Sequence, residues 1–157
     1  MIGNMKVTIE DLSHPDIRLL LEEHHQDMQK HSPPESIHAL DLAALKAADV
    51  TFWCAWEGEQ LGGCGALKDL GHGHGEIKSM RTAAAFLRRG VAAKILTVII
   101  EHAQSSRFKR LSLETGSMAA FAPAVKLYQK FGFEPCPPFA NYELDPYSRF
   151  MTKTPLY

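Results

Sequence analysis

The stretch Leu87-Arg88-Arg89-Gly90-Val91-Ala92-Ala93-Lys94-Ile95-Leu96 follows the strand-like Glu76–Thr82 and has the residue types of an anion site. A helix starting near Arg88 leaves its first backbone NH groups without intrahelical acceptors and gathers partial positive charge at that end. Gly90 has no Cβ, and Ala92 and Ala93 are nearly as bare, so a phosphate-bearing ligand can approach the backbone of 90–93 closely. Arg88 and Arg89 add charge. The chain has neither Gly-x-x-x-x-Gly-Lys-Ser/Thr nor Gly-x-Gly-x-x-Gly between a strand and a helix, so a P-loop or dinucleotide site does not explain this run.

Other chemistry-bearing residues are less organised. His24, His25, His31, His38, His72 and His74 invite a metal reading, and His72-Gly73-His74 has the form of a chelating pair. No His-Glu-x-x-His or Cys/His framework accompanies them, so no metal is expected, and the glycine-rich turn reads as an exposed hairpin connection. Cys54, Cys64 and Cys136 have no histidine partner in sequence and read as small buried hydrophobes. Trp53 and Trp56 have opposite parity in a strand and cannot share a face.

These residues need a scaffold, and hydrophobic periodicity outlines one. Lys6–Glu10 alternates as a strand, and a helix capped by Ser13 carries Ile17, Leu20, Leu21, His24 and Met28 at helical spacing toward His31. Ser32-Pro33-Pro34 ends it, and a short helix is expected over 41–47. Thr51–Trp56 and Leu61–Leu67 flank a short turn as a β-hairpin. After the strand 76–82, the helix from Arg88 to Ser105 turns Val91, Ile95, Val98, Ile99 and His102 inward. A strand over 110–115, a helix over 123–130 and a strand over 148–153 follow, and the Pro-containing segment 135–147 has the length of a functional loop. The class is α/β.

The strand, the Gly90-x-Ala92 helix start and Ala124-Val125-Lys126-Leu127-Tyr128-Gln129-Lys130-Phe131-Gly132-Phe133 together resemble the GNAT acetyltransferase superfamily over most of the chain. Gly90 and Ala92 match the last two fixed positions of its Gln/Arg-x-x-Gly-x-Gly/Ala pattern, while Leu87 replaces the first. The resemblance implies a single-domain fold, a mixed, mostly antiparallel twisted sheet flanked by helices with splayed central strands. It also implies that the backbone of Arg88–Ala93, including Val91, holds the pyrophosphate of acetyl-CoA. Main-chain groups of Met80 and Thr82 would bind the pantetheine arm like an added strand. Tyr128 would protonate the departing thiolate, to which a hydroxyl pKa near 10 is suited, and Glu76 would be the general base. Phe121 replaces an Asn common in the family, leaving Thr115 or Ser117 to substitute. The segment Pro33–Asp41 falls where the family builds its acceptor wall, so Glu35, His38 and Asp41 are candidates for holding a polar or cationic amine. Asp41 also suits a helix N-cap, with Glu35 in solvent.

The expected activity is therefore transfer of acetyl from acetyl-CoA to a primary amine of a small molecule or peptide by direct attack in a ternary complex. A non-catalytic acyl-CoA-binding sensor is the alternative. With 157 residues, one domain over 1–157 is expected, large enough for a core without metal or disulfide. The net charge of -1 provides no electrostatic footprint for nucleic acid. Val91–Ile100 is interrupted by Lys94 and Thr97 and too short to span a bilayer, so no membrane partner is expected. Odd cysteine usage and the N-terminal composition point to a cytoplasmic protein. The resemblance adds a homodimer as an expectation.

Overall fold

A computed structural model describes residues 5–32 and 42–156. Alternating residues near the N-terminus form β1 (Met5–Ile9), followed by α1 (Pro15–His31) and the short α2 (Leu42–Leu45). The hairpin is β2 (Val50–Glu57) and β3 (Gln60–Asp69), joined through Gly58 at φ 60°. The central strands β4 (His74–Thr82) and β5 (Arg110–Gly116) are linked by α3 (Val91–Ser105). α4 (Ala122–Lys130), β6 (Glu134–Pro135) and β7 (Ser148–Lys153) complete the described chain.

Among the described residues the strands form one sheet in the order β1-β2-β3-β4-β5-β7-β6. All pairings are antiparallel except that of β4 with β5. A parallel pair needs a long crossover, which α3 supplies. One sheet face packs Ile77, Leu111 and Leu113 against the fully buried Ile95, Leu96 and Ile99 of α3. The other face packs Phe52, Cys54 and Cys64 beneath Ile17 and Leu20 of α1. Trp53 joins the first cluster and Trp56 packs against the second, as their parity requires.

The β4–β5 pairing runs only from His74↔Arg110 to Ile77↔Leu113. Beyond it β4 bulges: Ser79 has φ 56°, and the register with β3 shifts between Cys64 and Ala66. The Cys64 thiol donates to the Ser79 carbonyl at 3.3 Å. An inserted residue bends the strand and increases its twist, so β4 turns away while Glu114–Gly116 of β5 continue pairing with β7. The splayed central strands expected from the family resemblance are thus formed by one bulge.

α3 can lie close because β3 is glycine-rich. A Cβ on Gly63 would meet the Arg81 carbonyl oxygen at 2.8 Å and Val91 Cγ1 at 2.9 Å. Gly63→Ala is expected to lower unfolding stability by about 1–3 kcal/mol through overpacking, as chemical denaturation would measure.

Several local expectations are corrected. α3 begins at Val91, not Arg88, because Arg88 (φ 62°) and Gly90 (φ 79°) are left-handed and cannot continue a right-handed helix. His14, not Ser13, caps α1: its Nδ1 accepts from Asp16 N at 3.1 Å, while the Ser13 hydroxyl donates to Asp11 at 2.6 Å. His74 belongs to β4, not to the turn, and its Nε2 lies 2.7 Å from Ser112 Oγ. α2 is shorter than the expected 41–47. The single-turn helices Ala84–Phe86 and Ala119–Phe121, and β6, are too short to give a periodic signal. Among the described residues no helix is long and apolar enough to cross a membrane.

Candidate active site

The wedge between the diverging ends of β4 and β5 is a cleft of about 470 Å³. Met80 and Thr82 of β4, Ala92 in the first turn of α3, and Leu127 and Tyr128 of α4 line it together. Sequence positions 76, 80, 82, 92 and 128 therefore converge on one space. Gly90 caps α3 at the surface, and the Val91 side chain is buried in the core, so what position 91 can offer a ligand is its backbone. Ala93 is half-buried and does not line the cleft.

The two arginines differ. Arg88 is exposed beside the helix start. Arg89 donates to Glu57 Oε2 at 2.9 Å and lies over the Phe86 ring at 4.7 Å, which ties it to the hairpin rather than to the cleft. Phe121 lines the cleft with its ring directly on Gly116. Thr115 also lines it, whereas the Ser117 hydroxyl is committed to the Pro146 carbonyl at 2.6 Å.

Tyr128 is buried, with its ring edge-on to Phe133. Among the described residues its hydroxyl has no hydrogen-bond partner, and burial raises its pKa above the ordinary value. Such a phenol stays protonated and holds an unspent donor at the cleft wall.

Glu76 is not on a strand edge. It sits in the central strand, 4% exposed, and its Oε2 accepts from Tyr142 Oη at 2.5 Å and Lys78 Nζ at 3.0 Å. Lys78 Nζ also donates to Tyr142 Oη at 2.8 Å. The three groups form a closed triangle at the cleft's inner end. Charges this buried persist only when paired and hydrogen-bonded, and here each partner supplies that. Burial first, and the Glu76 carboxylate second, hold the Tyr142 hydroxyl protonated.

α1 adds a second charged group to the cleft. Arg81 Nη2 lies 2.6 Å from Asp27 Oδ2, with His24 beside them. Burial, then the Arg81 charge, lowers the His24 pKa from 6.5 to about 4. The unfolded chain therefore binds more protons than the native one between those values, so stability rises with pH there and falls as pH drops from about 6.5 toward 4. His24→Gln is expected to flatten that part of the stability curve, measured by urea denaturation at a series of pH values.

The model of the acetyltransferase (GNAT) family matches residues 15–133, which include β4, the α3 start and Tyr128. The chain belongs to the GNAT acetyltransferase family. YsnE of Bacillus subtilis (strain 168), an uncharacterized N-acetyltransferase, is 57% identical over 149 residues, 95% of this chain and 99% of YsnE. YedL of Escherichia coli (strain K12), another uncharacterized N-acetyltransferase, is 53% identical over 94% of this chain and 93% of its own. A GNAT family acetyltransferase from Elizabethkingia anophelis, solved with acetyl-CoA bound, shares the fold with a TM-score of 0.68 at 18% identity, covering 97% of this chain and 99% of its own.

This GNAT enzyme is an acyltransferase, and its charged inner site was only partly visible in sequence. Lys78, Arg81, Asp27, Glu114 and Tyr142 were not singled out as site residues. Glu76-x-Lys78 places that pair on a shared face, and His24 and Met28 fall at helical spacing on α1 and line the cleft. Nothing in sequence links Tyr142 to Glu76 across 66 positions. Glu35, His38 and Asp41 lie outside the described residues. Among those described, no group of three or more His, Cys, Asp or Glu residues could hold a metal ion. Burial pushes the Cys64 thiol up to about 12 and that of Cys54 higher still, so neither is a thiolate nucleophile.

Proposed function

We propose that this GNAT enzyme transfers acetyl from acetyl-CoA to a primary amine by direct attack in a ternary complex. The observation that carries the reading is the Tyr128 hydroxyl, unpartnered among the described residues, on the wall of the cleft that the α3 start and the unpaired side of β4 also line. The pyrophosphate would sit against the first NH groups of α3, where Ala92 leaves room and the helix charge favours an anion. The pantetheine arm would run beside Met80 and Thr82, which have no β5 partner, and add to the sheet there.

That placement brings the thioester toward the inner end of the cleft. The amine nitrogen bonds to the carbonyl carbon, the C–S bond breaks, and Tyr128 gives its proton to the sulfur. Burial raises the Tyr128 phenol above its ordinary value, which keeps the proton on its oxygen until the departing thiolate takes it. Glu76 takes the proton that the nitrogen loses.

Calorimetric titration of acetyl-CoA followed by thiol release with a panel of primary amines tests the reading. Binding with amine-dependent release is expected. Binding without release for any amine would leave a sensor, and no binding would remove the acyl-CoA assignment.

A further inference from the structure

A second cavity of about 450 Å³ lies against the first and shares Glu76, Lys78 and Tyr142 with it. Its other walls come from Lys68 of β3 and from the 135–147 loop, with Asn141, Glu143 and Asp145. The hydrogen-bonded triangle therefore borders both the cofactor cleft and a polar space beside it, where the two meet. Tyr142 is the part of that border contributed by the loop, and Phe139 at 5.2 Å and Phe150 at 5.5 Å fix its ring.

We propose that the acceptor amine is seated in this second cavity and that Tyr142 relays its proton to Glu76, an inference that rests on the acetyltransferase reading. A phenol both accepts and donates, so it can take a proton on oxygen while releasing its own. Tyr142 Oη already points its proton at Glu76 Oε2 over 2.5 Å, and Lys78 Nζ at 2.8 Å stabilises negative charge that builds on the oxygen during transfer. As nitrogen bonds to the carbonyl carbon and the C–S bond breaks, the nitrogen's proton goes to Tyr142 and the phenolic proton passes to Glu76. Tyr128 protonates the sulfur. Solvent then removes a proton from Glu76 and returns one to Tyr128, which leaves the amide, the CoA thiol and the starting enzyme. The cavity's polar lining, with carboxylates of Glu76, Glu143 and Asp145 against Lys68 and Lys78, fits a small primary amine without an anionic group.

Tyr142→Phe keeps the ring contacts and the Glu76–Lys78 pair and removes only the relay oxygen. Thiol release is measured with n-propylamine, 2-methoxyethylamine, glycinamide and aminoacetonitrile, in falling order of basicity, alongside acetyl-CoA affinity by calorimetry. A relay predicts kcat lowered at least about 10-fold for n-propylamine, a deficit that shrinks along the series because a less basic nitrogen sheds its proton more readily, and unchanged acetyl-CoA affinity. An equal deficit for all four amines, or none, overturns the relay and leaves the acetyltransferase reading standing. Wild-type enzyme that releases thiol with none of them overturns both. Asn141→Trp, which fills the second cavity from its exposed rim, is expected to raise the KM for the amine at least about 5-fold with acetyl-CoA affinity unchanged; an unchanged amine KM places the acceptor elsewhere and overturns the seating.

Discussion

Tyr128→Phe is expected to lower kcat by about 100-fold or more while leaving acetyl-CoA affinity within about twofold, the range found when a positioned general acid is removed. The variant is a clean probe because the hydroxyl makes no hydrogen bond among the described residues, so its loss strands no partner. The ring stays where it is, packed on Phe133. Steady-state thiol release gives kcat, and calorimetry gives the affinity. A variant with undiminished kcat would transfer the acid role to solvent or another group, and weakened cofactor binding would make Tyr128 a binding residue. Glu76 is a poorer first target. Removing its charge breaks the buried Glu76–Lys78 pair, at a typical cost of about 3–5 kcal/mol, so a lost activity there would mix chemistry with folding.

That contrast also marks what the sequence could reveal. Tyr128 and the α3 start lie in local patterns: a tyrosine four residues before a glycine, and bare residues at a helix start. Local patterns survive reading one residue at a time, and both were legible. The mixed sheet and its splayed central strands followed from the family resemblance, while the device that splays them did not. Ser79 adopts φ 56° with nothing in its residue type to demand it, because the bulge is imposed by the neighbouring strand and by the Cys64 contact. The start of α3 shifted by three residues for the converse reason. Arg88 is a good helix former, yet the turn that aims Gly90 and Ala92 needs left-handed backbone, and tertiary geometry overrode propensity. The charged inner site was least legible. Its members come from α1, β4, β5 and the 135–147 loop, and only Glu76 and Lys78 are close enough in sequence to form a pattern. The bond of Tyr142 to Glu76, 66 positions away, is a product of folding alone.

Ala92→Glu is expected to weaken acetyl-CoA binding at least about 100-fold, equivalent to ~2.7 kcal/mol, while leaving thermal stability equal or slightly higher. The two effects have opposite electrostatic signs, which makes the experiment decisive. Position 92 is the second residue of α3, where a carboxylate interacts favourably with the helix end by about 0.3–1 kcal/mol. The fold therefore gains what the ligand loses: the same NH groups that would hold a pyrophosphate hold the new side chain, and its charge repels the anion. Ala92→Gln separates bulk from charge. If charge at the α3 start is what the cofactor phosphates meet, the Gln variant is expected to retain most of the affinity that Glu removes. Equal losses would mean that Ala92 leaves space for the ligand rather than forming part of an anion site, and full affinity in both variants would move the phosphates away from α3. Gly90 is the less useful position for this purpose, because its φ of 79° makes any side chain there strain the turn itself, so weakened binding would no longer report on the charge alone.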